Sequence, residues 1–286
     1  MKSKKRRAFL RKAFIYITLI ISIVVLCFPV YWMLKSSLTP VEKILSKDVS
    51  LGITDFNISS YIKVLTSTDY AAGINMPGYI WNSIVVVGLS TFISIVIATL
   101  AGYSLSRFHY RGRKTIAQGI LYVYMFPQMI LTTPLLMLVI KLGLYNSLWS
   151  LVIVYCTFAL PYSIWMMRSY FNELPKELEE AAMVDGCNRL QAIWKVMFPL
   201  AMPGVAATVT YSFIIGWGNV IYPLTFITDS SKQLVSIGFL SLVAGDQTPW
   251  DGVMAAATIS SIPVVVLFLF FQRYLVTGLA SGGVKS

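Results

Sequence analysis

The sequence predicts an all-α polytopic membrane protein with about six transmembrane helices, and three observations carry that prediction. Of its 286 residues, 57% are hydrophobic and only 12% charged, where an ordinary soluble domain has about 25% charged residues. Six apolar runs are each about long enough to cross ~30 Å of hydrocarbon. The basic residues fall unevenly between the loops on the two sides, as they do in membrane proteins. A chain with a mean hydropathy of +0.72 cannot cover its surface with polar groups in water, so the bilayer is its expected solvent.

The first apolar run, Phe14 to Met33, follows a basic tail over residues 1–12 that holds seven Lys and Arg residues. It is longer than the 7–15 residues of a signal-peptide core, and no small-residue cleavage site follows it. Val25-Leu26 before Cys27 is also a poor lipoprotein processing site, so the run is read as an uncleaved first span. Five further runs follow, approximately Ile80 to Tyr103, Ile116 to Ile140, Leu148 to Met167, Val205 to Phe226 and Val253 to Phe271. Residues 13–286 therefore read as a single transmembrane domain whose core spans cover about 80–272. Pro127, Pro134, Pro161, Pro223 and Pro263 lie inside these runs. Membrane bundles tolerate such prolines where neighbours satisfy the freed carbonyls.

Six spans put both termini on one side. That side carries 17 of the 23 Lys and Arg residues, and the other carries Lys35, Lys43, Lys47, Lys63, Lys141 and Lys232. The basic excess marks the cytoplasmic face, so both termini are expected inside. The net charge of +11 is then topology, and no nucleic-acid partner is implied. On the exterior side, residues 36–79 and 228–252 form polar loops with Tyr61, Tyr70, Tyr79 and Trp250 interspersed. Those rings are either interface anchors or part of a partner's docking surface. Cys27, Cys156 and Cys187 lie far apart, and no pair has metal-ligand or redox spacing.

The loop over residues 170–199 carries the most information. Pro175 suits the first turn of a helix, Glu177, Glu179 and Glu180 suit the positive end of its dipole, and Gly186 suits its stop. Asn188 is a favoured N-cap for a second helix. There Leu190, Ile193, Trp194, Met197 and Phe198 fall at helical spacing and make one apolar face. A helix lying on anionic lipid should be rich in Lys and Arg. An acidic face instead favours docking onto a protein partner with a basic cleft.

Glu180-Ala181-Ala182-Met183-Val184-Asp185-Gly186, followed by Ile193 and Phe198-Pro199-Leu200, resembles the EAA loop of binding-protein-dependent ATP-binding-cassette (ABC) importer permeases. Asp185-Gly186 and the C-terminal stretch Gln272 to Leu279 are similar to the carbohydrate-uptake branch, the maltose and multiple-sugar type, and within it to the second permease of the pair. The resemblance covers essentially the whole chain; Cys187 stands where a small residue such as alanine is common. It implies a type I ABC importer permease fold, a homologous second permease, a dimer of ATPase chains that binds the ATP and Mg, and an exterior solute-binding protein delivering a sugar. It also implies that Glu180 pairs with a basic residue of the ATPase, that Ala181 and Ala182 pack closely, that Gly186 allows the turn, and that Asp185 belongs to the same coupling segment.

The residues themselves argue against chemistry in this chain. No phosphate-binding loop of the GxxxxGK[ST] kind occurs, and no HExxH, GxSxG or Cys/His cluster does. His109 is the one histidine, and among arginines it reads as a solvated loop residue. All 12 acids lie outside the six runs, whereas a proton-coupled carrier would want ionisable groups at depth. A path lined by neutral polar and aromatic groups suits a sugar. Gln128 and Thr132 in the third run, and Trp217, Asn219 and Tyr222 in the fifth, are the candidates. The bland alternative is that the Gly216 to Pro223 stretch serves helix packing and anchoring. Two other functions remain open at this stage, a permease of the same class for a solute such as glycerol phosphate and a stand-alone carrier or channel.

Overall fold

A computed structural model describes residues 2–46, 50–52, 55–66, 74–244 and 248–282, with backbone alone at 2–8 and 276–282. Lys47, Tyr70 and Lys285 lie outside the described residues, as do the side chains of the basic tail before Ala8 and of Val276 to Leu279. The helices, in chain order, are α1 (Lys2–Ser37), α2 (Val41–Ile44), α3 (Ser59–Thr66), α4 (Met76–Arg107), α5 (Arg113–Tyr124), α6 (Thr132–Lys141), α7 (Leu148–Glu173), α8 (Glu177–Val184), α9 (Arg189–Ala192), α10 (Phe198–Leu200), α11 (Met202–Trp217), α12 (Ile221–Phe226), α13 (Val235–Val243) and α14 (Trp250–Gly282). No strand occurs among the described residues.

Among the described residues, four helices are long and apolar enough to cross a membrane: Phe9–Ser37, Met76–Arg107, Leu148–Glu173 and Trp250–Leu275. Two bent pairs raise the number to as many as 6. The third run is not one helix. It breaks after Tyr124 and turns through 92° into the Gln128–Lys141 segment, which opens with a 3-10 turn over Gln128–Leu131. Pro127 at the break has no N–H to continue the ladder. The fifth run also stops early, at Trp217; Gly218, Asn219 and Val220 separate α11 from the short α12. Met202–Trp217 instead meets Arg189–Leu200 at 81°.

The chain divides into two compact units, and each has its own polar fastenings. In the unit of Met1–Ile74 and Ser241–Ile259, the Ser60 hydroxyl donates to the buried carboxylate of Asp251 at 2.6 Å. Ser37 Oγ meets Tyr61 OH at 2.7 Å. The side chains of α1 from Phe14 to Val30 are almost all exposed, as expected of a helix whose solvent is lipid or another subunit.

In the unit of Asn75–Leu240 and Ser260–Ser286, α4, α7 and α11 pack around two apolar clusters. One gathers Val86, Val87, Leu151, Tyr155, Phe158, Phe213, Tyr222 and Phe226. The other gathers Ala98, Tyr103, Met167, Phe171, Ile193, Met197, Ala201 and Val205. Small residues let these helices approach closely. A Cβ placed on Gly102 would lie 2.8 Å from Met167 Cβ and 2.9 Å from Arg168 N. Ser163 and Ser212 hydroxyls face each other at 3.4 Å in the same contact zone.

Candidate functional site

The second cluster holds the loop between α7 and α11 against the end of the bundle. Pro175 does not sit in the first turn as expected; Lys176 is the N-cap and Pro175 precedes it. Glu177, Glu179 and Glu180 do occupy the first turn of α8, where carboxylates suit the helix dipole. At the other end Gly186 N donates to Met183 O at 3.2 Å and Cys187 N to Ala182 O at 3.0 Å. With Gly186 at φ +91°, this is the Schellman ending that favours glycine. Asn188 and Gln191 then form a reciprocal capping box at the start of α9.

Beyond α9 the helix widens into a π turn over Ile193–Met197. The apolar face expected from helical spacing is only partly inward. Ile193 and Met197 are buried together with Ala192 and Ala201, but Leu190 is 57% exposed.

Two consecutive acids differ in burial. Glu179 is buried, accepts a hydrogen bond from Tyr103 OH, and faces Arg107 Nε at 3.4 Å. Arg107 Nη2 also donates to Leu174 O at 2.8 Å, and Ser106 Oγ to Asn172 Oδ1 at 2.9 Å. The end of α4 is thereby clamped to the corner between α7 and α8. Glu180, Ala181, Asp185 and Gly186 are exposed, whereas Ala182 is buried against the bundle. Val184, 87% exposed, stands among these acids. This short segment thus exposes one apolar side chain, Val184, together with the carboxylates of Glu180 and Asp185. Behind it lies a cleft of about 230 Å³ that includes Arg107, His109, Lys176, Glu179, Glu180 and Arg189.

The proposed path residues come partly together. Tyr222 OH donates to the Gln128 carbonyl oxygen at 2.9 Å, so α12 touches the 3-10 turn at the break in the third run. Asn219 is occupied as a cap, with its Oδ1 accepting Tyr222 N at 3.1 Å and its carbonyl accepting Ser236 Oγ at 2.7 Å. Tyr222 is buried and Trp217 stacks on Phe213 at 5.2 Å. These three therefore support the broken helix, while Gln128 and Thr132 stay half-buried.

A tyrosine cluster that the sequence did not signal lies nearby. Tyr124 of α5, Tyr162 of α7 and Tyr211 of α11 bring their rings together, with centroids 3.9 Å apart for Tyr162 and Tyr211 and 6.0 Å and 6.4 Å from Tyr124 to each. Tyr124 and Gln128 line one small cleft with Thr157 and Pro161. Tyrosine faces and hydroxyls are the groups that apolar sugar faces and sugar hydroxyls require.

The family described as "binding-protein-dependent transport system inner membrane component" matches residues 94–281. The chain belongs to this family. It is 34% identical to the trehalose/maltose transport system permease protein MalG of Thermococcus litoralis, over 98% of this chain and 99% of that protein. It is 32% identical to the diacetylchitobiose uptake system permease protein DasC of Streptomyces coelicolor, over 94% and 95%. Among solved structures it is similar to a bacterial ABC transporter involved in the import of the acidic polysaccharide alginate, with a TM-score of 0.77, 22% identity, and coverage of 91% of this chain and 94% of that one. The expected ABC importer permease fold is therefore the observed one. This family member is a multi-pass membrane transport subunit that works with an ATPase, and not itself an enzyme.

Proposed function

We propose that this subunit is the second permease of an importer for a sugar or oligosaccharide, which an extracytoplasmic solute-binding protein delivers. It pairs with a homologous permease, and a dimer of ATPase chains, binding ATP and Mg, docks on the loop of α8 to α10. The loop faces the cytoplasm, as do both termini. Closure of the ATPases pulls the loop and turns the path outward; hydrolysis returns it. Two named relatives, for trehalose or maltose and for diacetylchitobiose, support the sugar class.

The observation that carries this reading is the division between Glu179 and Glu180. A buried acid fixes α8 to the bundle while the next residue, with Ala181, Val184 and Asp185, is presented outward on a rigid helix. Such a rigid, exposed, mixed acidic and apolar segment suits insertion into a basic cleft of a moving partner. In the path, Tyr124, Tyr162 and Tyr211 with Gln128 and Thr132 offer a neutral aromatic lining.

Cysteine placed at Val184 tests the docking. In the intact importer it should cross-link to the ATPase subunit, with a yield that changes between nucleotide-free and ATP-bound states. Sugar uptake into proteoliposomes should require both the ATPase and ATP. Uptake by the permeases alone would instead make the protein a stand-alone carrier.

A further inference from the structure

A second basic cavity lies beside the loop of α8 to α10. It lies between the turn after α4, the start of α5 and the end of α7, and holds about 650 Å³. His109, Arg111, Arg113, Lys114 and Arg168 line it, and no carboxylate does among the described residues. Arg113 is oriented by its own backbone, donating through Nη1 to Phe108 O at 3.0 Å and through Nη2 to Ser106 O at 3.2 Å. Arg168 Nε is shielded from solvent and finds no hydrogen-bond acceptor among the described residues.

The start of α5 adds to this imbalance. Gly112 provides no side-chain cap, and Arg113 and Lys114 occupy the first turn, where the positive end of the helix repels cations and attracts anions. A phosphate seated there would offset both. The space below the cavity indicates what the phosphate is attached to. An apolar groove of about 460 Å³ opens along the same two helices, lined by Ile116, Ile120, Leu160 and Ile164 among others; its far end, at Val123, Thr157 and Pro161, adjoins the small cleft at Tyr124 and Gln128. It begins at Ile116, one residue beyond the cavity-lining Thr115, and at Ile164, one helical turn from the cavity-lining Arg168. A basic head site continuous with an apolar groove has the form of a phospholipid, and basic pockets between transmembrane helices bind anionic headgroups.

We infer that α5 and α7 hold one anionic phospholipid of the leaflet on the coupling-loop side, its phosphate among Arg111, Lys114 and Arg168 and an acyl chain along Ile116, Ile120 and Ile164. The site adjoins the cleft behind α8, with His109 lining both.

The test is native mass spectrometry of the intact importer released from nanodiscs of equal phosphatidylglycerol and phosphatidylcholine. The unmodified complex should retain phosphatidylglycerol selectively. Arg111→Gln with Lys114→Gln should weaken that retention by about fivefold for each charge removed. Arg111→Lys with Lys114→Arg should preserve it, and Arg113 is left in place because it holds the turn. Ile120→Trp fills the groove without changing charge and should also release the lipid. Equal retention of the two lipids by the unmodified complex overturns the inference, whatever the variants do. So does displacement of the lipid by soluble glycerol phosphate with Ile120→Trp having no effect, which would mark a free-phosphate site. Cross-linking of cysteine at Ile120 to the second permease would overturn it too, by giving the groove to a protein.

Discussion

Tyr103 and Glu179, 76 residues apart in sequence, meet in a hydrogen bond at the base of α8. Arg107, one turn after Tyr103 on α4, faces the same carboxylate at 3.4 Å, and both side chains of that ion pair are buried. A buried ion pair adds little net stability, but removing one partner strands the other and costs about 3–5 kcal/mol. Its value here is geometric: it sets the register between α4 and α8, on which the outward direction of Glu180 depends.

Glu179→Ala should therefore lower the stability of the permease by about 3–5 kcal/mol, read as a fall in the thermal midpoint followed by size-exclusion chromatography. Glu179→Leu combined with Arg107→Met should recover part of that loss, because an apolar pair leaves no buried charge. If Glu179→Ala melts like the unmodified protein, the clamp is not structural.

Glu180→Ala should behave in the opposite way. The side chain is exposed, so the stability should stay within about 0.5 kcal/mol of the original. Stimulation of the ATPase by the loaded solute-binding protein should fall sharply. Gly186→Val should likewise leave the bundle assembled while distorting the end of α8, since φ +91° strains a β-branched residue. Normal uptake by either variant sinks the docking assignment.

Gly102 gives a packing prediction. A methyl group there meets Met167 Cβ and the backbone nitrogen of Arg168, and neither can rotate away. Gly102→Ala should push α4 from α7 and cost about 1–3 kcal/mol. Gly88, with nothing within 4 Å of its Cβ position, is the control and should tolerate alanine with no loss.

The exposed Asp229 gives a pH prediction. Ser231 donates to its carboxylate through the hydroxyl at 2.7 Å and the backbone N–H at 2.9 Å, and these bonds hold its pKa below the ordinary 3.8. A lowered folded-state pKa means the turn is fully supported above the ordinary value and loses support as pH falls through the lowered one. Amide exchange at Ser231, corrected for its intrinsic pH dependence, should show constant protection from pH 7 to about 5 and lose it only well into acid. Loss of protection between pH 6 and 5 would contradict the assignment.

The sequence made the spans and the loop helices legible because their signals are local: apolar runs of membrane length, an Asn188 cap, a Gly186 stop. What it hid was decided by distant neighbours. Glu179 and Glu180 are equivalent acids in a row, and only Tyr103 and Arg107, brought up by α4, distinguish the inward one. Pro127 lay inside an apolar run read as one span, but the chain turns through 92° there, next to where Tyr222 reaches the Gln128 carbonyl from another segment.

Tyr124, Tyr162 and Tyr211 each come from a different helix, so no spacing in the chain announces them, and they give the last prediction. If they form a sugar-stacking surface, Tyr162→Ala should raise the sugar concentration for half-maximal uptake and lower its maximal rate. Base stacking on aromatic side chains, a comparable face-to-face contact, is worth about 1–3 kcal/mol, which sets the expected loss at roughly five- to 150-fold. Tyr162→Phe keeps the ring and should retain most of the uptake, whereas a requirement for the hydroxyl would make hydrogen bonding the dominant contact. Basal ATPase activity should be unchanged in both variants, because the coupling loop is untouched. If Tyr162→Ala instead lowers the melting midpoint with uptake per folded molecule intact, the rings are helix packing between α7 and α11 and the path runs elsewhere.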